Sequence, residues 1–265
     1  MVLESIISSR SLRRHPSEAI LLGALGTAVA VLICKLLSQN GLFLTALITM
    51  ALLPSAIIQI KHDEKQKENN AFWSYVYQGG FLNRHGALIQ DYLFIILGIA
   101  ITISAAYIIL PTQSTSAIFS DQLSIITQIT GNVTQPDLFE KILFNNLSVM
   151  VICFVFSLFY ASGALFLISW NATVLGVVVG QTAKSLLGLQ SIPLVLFSYM
   201  PHGTFEFLGY ILAGIAGGLI SAAVTRHRES NEHFRFVMED ATILSLLAIL
   251  MLVVGAYIEV YSIMA

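Results

Sequence analysis

Residues Pro201–Ala223 read PHGTFEFLGYILAGIAGGLISAA, an apolar run that opens on His202 and Glu206 and continues through Gly209, Gly214, Gly217 and Gly218. At helical spacing His202 and Glu206 stand one turn apart on the same face. Further on, Ala213, Gly214, Ala216, Gly217, Gly218, Ser221 and Ala222 let a second helix approach closely. The 22 residues from Thr204 to Thr225 make about 33 Å of helix at roughly 1.5 Å per residue, against a hydrocarbon core of about 30 Å. A helix facing only lipid needs neither the polar head nor the small residues. The stretch is therefore expected to be a buried transmembrane helix around which the rest is organised.

The surrounding composition places that helix in a bilayer. Of 265 residues, 56% are hydrophobic and 11% charged, where soluble domains run near about 25% charged, and the mean hydropathy is +0.81. The expected fold is an all-α polytopic membrane protein of about seven transmembrane helices, with a re-entrant segment before the sixth. The net charge is -2 and the basic residues are confined to loop ends, so no basic groove for nucleic acid is expected. Cys34 and Cys153 fall inside apolar runs, where a thiol behaves as a small hydrophobe, and do not make a disulfide framework.

The expected spans are Ala19–Leu37, Leu42–Ile60, Tyr92–Leu110, Ile142–Ser169, Ala172–Leu187, Thr204–Thr225 and Ala241–Ile263. Residues 1–18 form a basic amino-terminal segment with Arg10, Arg13, Arg14 and His15, and residues 19–265 a single membrane domain. The first apolar run is too long for a secretory signal, and Val31-Leu32-Ile33-Cys34 lacks the small residue of a lipoprotein cleavage site, so a retained anchor is expected. With the amino terminus inside, the inner segments hold Arg10, Arg13, Arg14, Lys61, Lys65, Lys67, Arg84, Arg226, Arg228 and Arg235, ten of the thirteen Lys and Arg residues. Lys35, Lys141 and Lys184 are left for the outside, each at a helix end where it can snorkel. A cytoplasmic amino terminus and an outer carboxyl terminus in the cell membrane follow.

Within the membrane domain, residues 61–91 begin as a solvated charge run and continue with Phe72, Trp73, Tyr75 and Val76 among basic residues, as expected of a helix in the inner interface. Residues 111–141, rich in Ser, Thr, Gln and Asn, are expected as an exposed outer cap, with Asn132 in a glycosylation triplet. Residues 142–225 form the core. In it, Ile142 to Ala183 carry no charge, and Trp170-Asn171 is expected to mark the inner turn. Ser191–Met200 is too short to cross as a helix, which suggests a fold-back between Pro193 and Pro201.

Ionisable residues at membrane depth are costly and each has two readings. His202 and Glu206 are candidates for a proton relay or a cation site. In the plainer reading, Glu206 near a helix start satisfies free amides and the dipole. No HExxH arrangement, cysteine cluster or acidic pair accompanies His202 and Glu206, so no metal and no cofactor are expected. Asn145 and Asn146 open the fourth span, and Ser157, Ser162, Ser169, Asn171 and Thr173 dot the fourth and fifth. Helix glue is the plainer reading of these, and a single polar cluster of Asn145, Asn146, His202 and Glu206 the sharper one. Glu259, between Tyr257 and Tyr261, is expected at the interface. The stripe of Phe144, Phe154, Phe156, Phe159 and Phe166 is expected to pack.

The stretch FNNLSVMVICFVFSLFYASGALFLISWNATVLGVVVG from Phe144 to Gly180, followed by PHGTFEFLGYILAGIAGGLIS from Pro201, resembles the stage II sporulation protein M family of integral membrane proteins. The likeness rests on Asn-Asn heading one span and His-Gly-x-x-Glu heading another, then small residues. The flanks, LRRHPSE and the aromatic-basic segment, resemble its archaeal-type branch. The resemblance implies a membrane domain with Asn145, Asn146, His202, Gly203 and Glu206 as motif positions, and Gly214, Gly217 and Gly218 for helix packing. For the family's namesake it implies an anchor for two cell-wall hydrolases, without a catalytic residue of its own.

The leading expectation is a non-enzymatic membrane scaffold or anchor that recruits partner proteins. Its expected partners are the lipid bilayer and other membrane or membrane-associated proteins, a second copy of the chain among them. A transporter or channel built on the polar cluster is the alternative. An intramembrane metalloenzyme using His202 and Glu206 is a third class, set against the absence of any nucleophile, base and orienter set.

Overall fold

The computed structural model describes residues 18–69, 81–131, 138–160, 162–226 and 231–264. Among them are the helices α1 (Glu18–Leu37), α2 (Gly41–Asn69), α3 (Phe81–Ile109), α4 (Thr112–Ile118), α5 (Ser120–Gly131), α6 (Leu138–Phe159), α7 (Ala164–Ser185), α8 (Ile192–Arg226) and α9 (Asn231–Met264), with a single 3-10 turn at Gly188–Ser191. Six of these helices are long and apolar enough to cross a membrane, and in α2 the apolar part, Gly41–Pro54, is shorter. The chain is an all-helical, multi-pass membrane protein. The basic amino-terminal segment, Asn132 and the aromatics Phe72 to Val76 lie outside the described residues.

Small residues set how the helices meet. In α1 and α3, Gly23 lies against the Ile95 carbonyl and Gly98 against the Ile20 carbonyl, so closely that a methyl group at either would collide with backbone. Ile103 and Ala100 flank Gly176, while Tyr107 and Ser104 flank Gly180. Contacts that advance together along both chains make α3 and α7 parallel. Ser104 Oγ donates to the Gly176 carbonyl at 2.9 Å across that seam. By the same logic α6 and α8 are parallel and α8 and α9 antiparallel: Phe154 meets Gly217, whereas Gly209 meets Ala248 and Leu252, and Gly255 meets His202 and Glu206.

The structure moves two expected boundaries. The fourth span ends at Phe159 and the fifth begins at Ala164, so the turn is not at Trp170-Asn171, which lie within α7. Gly163 fits there because it approaches the Phe156 carbonyl more closely than any side chain allows. Ser157 Oγ then accepts from Ala164 N at 3.0 Å, satisfying one of the free amides that open α7. Asn171 spends its amide on the Leu167 carbonyl, 2.8 Å away in its own helix.

Ser191–Met200 is not a separate fold-back: from Ile192 it is the first part of α8, which runs through Pro201 without a break. An interior proline costs about 3 kcal/mol, and burial on this arm offsets it. Ile192, Val195 and Leu196 pack with Ala100, Val179 and Ala183 of α3 and α7. The reversal of direction sits just before, where Gly188 takes φ +67°, a left-handed conformation that costs glycine little. Ser191 Oγ accepts from Leu187 N at 2.9 Å to close it.

The connection between α3 and α6, expected as an exposed outer cap, is partly buried. Ile118, Phe119 and Gln122 are buried, and Gln122 Nε2 donates to Thr173 Oγ1 at 3.0 Å and to the Gly41 carbonyl at 3.4 Å. Thr173 lies about 18 Å of helix before the end of α7, at roughly 1.5 Å per residue, so α5 dips between α2 and α7. Asp121 Oδ2 accepts from Leu42 N at 2.9 Å and satisfies a free amide in the first turn of α2. The phenylalanine stripe also differs from expectation: Phe144, Phe156 and Phe159 are exposed on the bundle surface, where lipid is the partner, rather than packed.

Candidate functional site

The polar residues singled out in the sequence converge where α6, α8 and α9 meet. Asn146 faces inward at 5% exposure, while Asn145, the next residue round the helix, is exposed. Asn146 Nδ2 donates to Glu206 Oε1 at 2.7 Å, and its Oδ1 accepts from the Tyr210 hydroxyl at 2.9 Å. Both ends of one amide thus tie α6 to α8. Asn145 Nδ2 reaches Asn146 Oδ1 at 3.3 Å, a marginal contact at the edge of the group.

Glu206 and Tyr210 reach the same amide because they stand one turn apart on α8. Gly214 and Gly217 continue that face and let α6 and α7 come close: a methyl group at Gly214 would lie 2.6 Å from Ala164 Cβ, and one at Gly217 would strike the Phe154 carbonyl. Gly218 is half-buried at the edge of the same seam. The small residues hold the helices at the spacing at which the short Asn146 side chain can bridge them.

From the other side α9 brings in Glu259. A methyl group at Gly255 would be 3.3 Å from Glu206 Cγ and 3.4 Å from the His202 carbonyl, so α9 lies tight on α8 here, and Glu259 follows one turn later. Its carboxyl group lies within electrostatic reach of both Glu206 and His202.

His202 is half-buried, with its ring edge-on to Tyr199 at 5.8 Å between centroids. Its Nδ1 is shielded from solvent and has no hydrogen-bond partner among the described residues. Gly203 beside it is buried, yet a methyl group there would meet nothing within 4 Å, so there is room at this point in the wall. No group of three or more His, Cys, Asp and Glu residues suited to a metal ion occurs among the described residues.

The structure therefore brings Asn146, His202, Gly203 and Glu206 together and leaves Asn145 at the rim. It adds two residues. Tyr210 carried a signal in its i+4 spacing from Glu206. Glu259, expected at the interface, belongs to the group instead; its cue was Gly255 one turn before it, which marks the face of α9 that packs closely.

The family model for stage II sporulation protein M matches residues 92–262, a stretch that contains every member of this cluster. An uncharacterized protein of Methanocaldococcus jannaschii is 29% identical over 126 residues, covering 46% of this chain and 69% of that protein. No solved structure matches.

Proposed function

The chain belongs to the stage II sporulation protein M family, and from that premise we propose that it is a non-enzymatic membrane scaffold or anchor that holds partner proteins at the bilayer. The observation that carries this reading is the grip on α8. Gly217 lies against the backbone of α6, and Gly209 against Leu252 and the Ala248 carbonyl of α9. Between those two contacts the amide of Asn146 is spent on Glu206 and Tyr210. Polar groups that satisfy one another inside closely packed helices serve first to fix those helices. A fixed bundle suits a protein whose task is to present surfaces.

The amino terminus is cytoplasmic and the carboxyl terminus outside in this proposal, supported by the lysine and arginine bias of the inner segments. The aromatic segment that includes Trp73, Tyr75 and Tyr77 is then the inner docking site for a membrane-associated partner, and a second copy of the chain is a further candidate. Affinity purification in mild detergent tests the reading. A stable partner is expected with the unmodified protein and lost on Trp73→Ala, Tyr75→Ala or Tyr77→Ala. Full cellular activity with no partner recovered would count decisively against a scaffold.

A second reading, transport of a small polar solute, is favoured by the room beside Gly203, near His202 and Glu206. It requires flux in proteoliposomes that Glu206→Gln abolishes without loss of folding. Equal flux through the variant would remove it.

A further inference from the structure

Two stripes of residues run along α6 on opposite sides, each advancing by alternate steps of three and four. Asn146, Met150, Cys153 and Ser157 are buried against the rest of the bundle. Asn145, Ser148, Ile152, Val155 and Phe159 look the other way: Ile152 is 43% exposed, Val155 39% and Phe159 73%, with Asn145 exposed and Ser148 partly so. Lipid alone accounts for an outward face that is apolar throughout. Asn145 does not fit that account. It lies about 10 Å along the helix from Leu138, at roughly 1.5 Å per residue. Its Nδ2 makes the marginal 3.3 Å contact with Asn146, and its own Oδ1 has no donor among the described residues. An amide facing hydrocarbon without partners is costly. Hydroxyls on the same kind of surface make no such demand, because Ser148 Oγ and Thr242 Oγ1 bond back to the Phe144 and Met238 carbonyls of their own helices at 2.8 Å and 2.7 Å.

We propose that this outward stripe is where two copies of the chain pair, α6 against α6, with Asn145 bonded to its own mate. Two copies inserted in one bilayer share an orientation, so the axis relating them runs along the membrane normal. Their α6 helices are then parallel, and each residue of the stripe faces its equivalent at the same depth. An amide is donor and acceptor at once. Asn145 of one copy therefore gives an Nδ2 hydrogen to Oδ1 of the other and receives the same bond in return, which no lipid tail offers. The spacing is the one a parallel helix pair requires: Asn145, Ile152 and Phe159 recur every seven residues, with Ser148 and Val155 between them. A single asparagine in such a series fixes the register, since any slip leaves both amides unpaired. Ser148 is small enough to let the two backbones approach beside the amides. The pairing goes beyond the proposed function and serves a scaffold and a transporter alike. It leaves the cluster around Asn146 and Glu206, on the other side of α6, as it is.

Oxidative cross-linking of the Ile152→Cys variant, as the full chain in liposomes, tests it. Cys34 and Cys153 are fully buried and do not compete. In a parallel pair the two introduced sulfurs come within bonding reach, so a disulfide-linked dimer is expected. Leu250→Cys on α9, where the native side chain is 52% exposed, reports random collision and is expected to give far less dimer. Dilution into more lipid then locates the midpoint of pairing. Adding Asn145→Ala to Ile152→Cys is expected to move that midpoint about 3- to 20-fold toward the monomer, the span of hydrogen bonds measured between membrane helices. Absence of a dimer from Ile152→Cys, an equal yield from Leu250→Cys, or a midpoint that Asn145→Ala does not move each overturns the pairing. Should Asn145→Ala disturb folding through Asn146, Phe159→Ala replaces it, because that side chain is 73% exposed within one copy. A midpoint shifted toward the monomer supports the pairing, and an unmoved one rejects it. Recovery of other proteins is read from the variants at Trp73, Tyr75 and Tyr77, so the scaffold reading stands or falls separately.

Discussion

Replacing Gly217 by alanine puts a methyl group into the close seam between α8 and α6. It would collide with the Phe154 carbonyl and stand 3.1 Å from both Leu158 N and Ser157 Cβ. Two of those three atoms are backbone of α6, which cannot rotate out of the way, so the helices must part. Such overpacking costs about 1–3 kcal/mol. Alanine returns about 0.5–1 kcal/mol through its better helix propensity. Gly203→Ala keeps the propensity gain and, with nothing within 4 Å of the new methyl, pays no steric penalty. The two variants should therefore differ by about 1–3 kcal/mol, roughly 5- to 150-fold in the folded-to-unfolded ratio, with Gly203→Ala at or above the unmodified protein. Equilibrium unfolding in mixed micelles, titrated with denaturing detergent, measures both. Equal stability of the two variants, or a larger loss for Gly203→Ala, would refute the close packing of α8 on α6.

Three further outcomes are expected. Ser157→Ala removes the acceptor that satisfies Ala164 N and should cost about 1 kcal/mol, the usual worth of a helix cap; amide exchange should quicken in the first turn of α7 and not at its far end. Gln122→Ala removes the bonds to Thr173 and the Gly41 carbonyl and leaves a cavity, a loss of about 2 kcal/mol. Limited proteolysis should then cut α5 faster, and unchanged cutting would mean that this helix does not depend on its dip between α2 and α7. Ser104→Ala breaks the one side-chain bond from α3 to the Gly176 carbonyl and should cost only about 0.6 kcal/mol, the average between membrane helices, so a melt resolving several times that loss would assign the serine a larger role.

Much of this architecture is legible in the chain because hydropathy and helix length answer to one physical scale, the thickness of the hydrocarbon core. The apolar runs of α1, α3 and α9 carry their own boundaries in Glu18, Asp91 and Asp240. Within residues 142–183 the same signal fails, since no charge marks a turn, and the close approach of Gly163 to Phe156 is a three-dimensional fact. Pro201 misleads for a related reason. A proline argues for a break on local grounds, while the burial of Ile192, Val195 and Leu196 that keeps α8 whole comes from distant segments.

The candidate site divides along the same line. Spacing puts His202 and Glu206 on one face and marks Asn146 as unusual at membrane depth. It cannot distinguish Asn146 from Asn145, because which of two adjacent amides points inward depends on where α8 lies. Glu259 was read as interfacial from its tyrosine neighbours, and those tyrosines do face out, with Tyr257 and Tyr261 exposed. On a helix, however, the intervening residue Glu259 points elsewhere, and its partner sits more than fifty positions earlier in the chain.

The most direct measurement is a double-mutant cycle between Asn146→Ala and Glu206→Ala, read by equilibrium unfolding in mixed micelles. The 2.7 Å bond between these side chains should appear as a coupling of about 1 kcal/mol or more, within the range of about 0.6 to 1.7 kcal/mol measured between membrane helices. Losses that add to within about 0.3–0.5 kcal/mol would mean that the two residues act independently and that no polar staple joins α6 to α8.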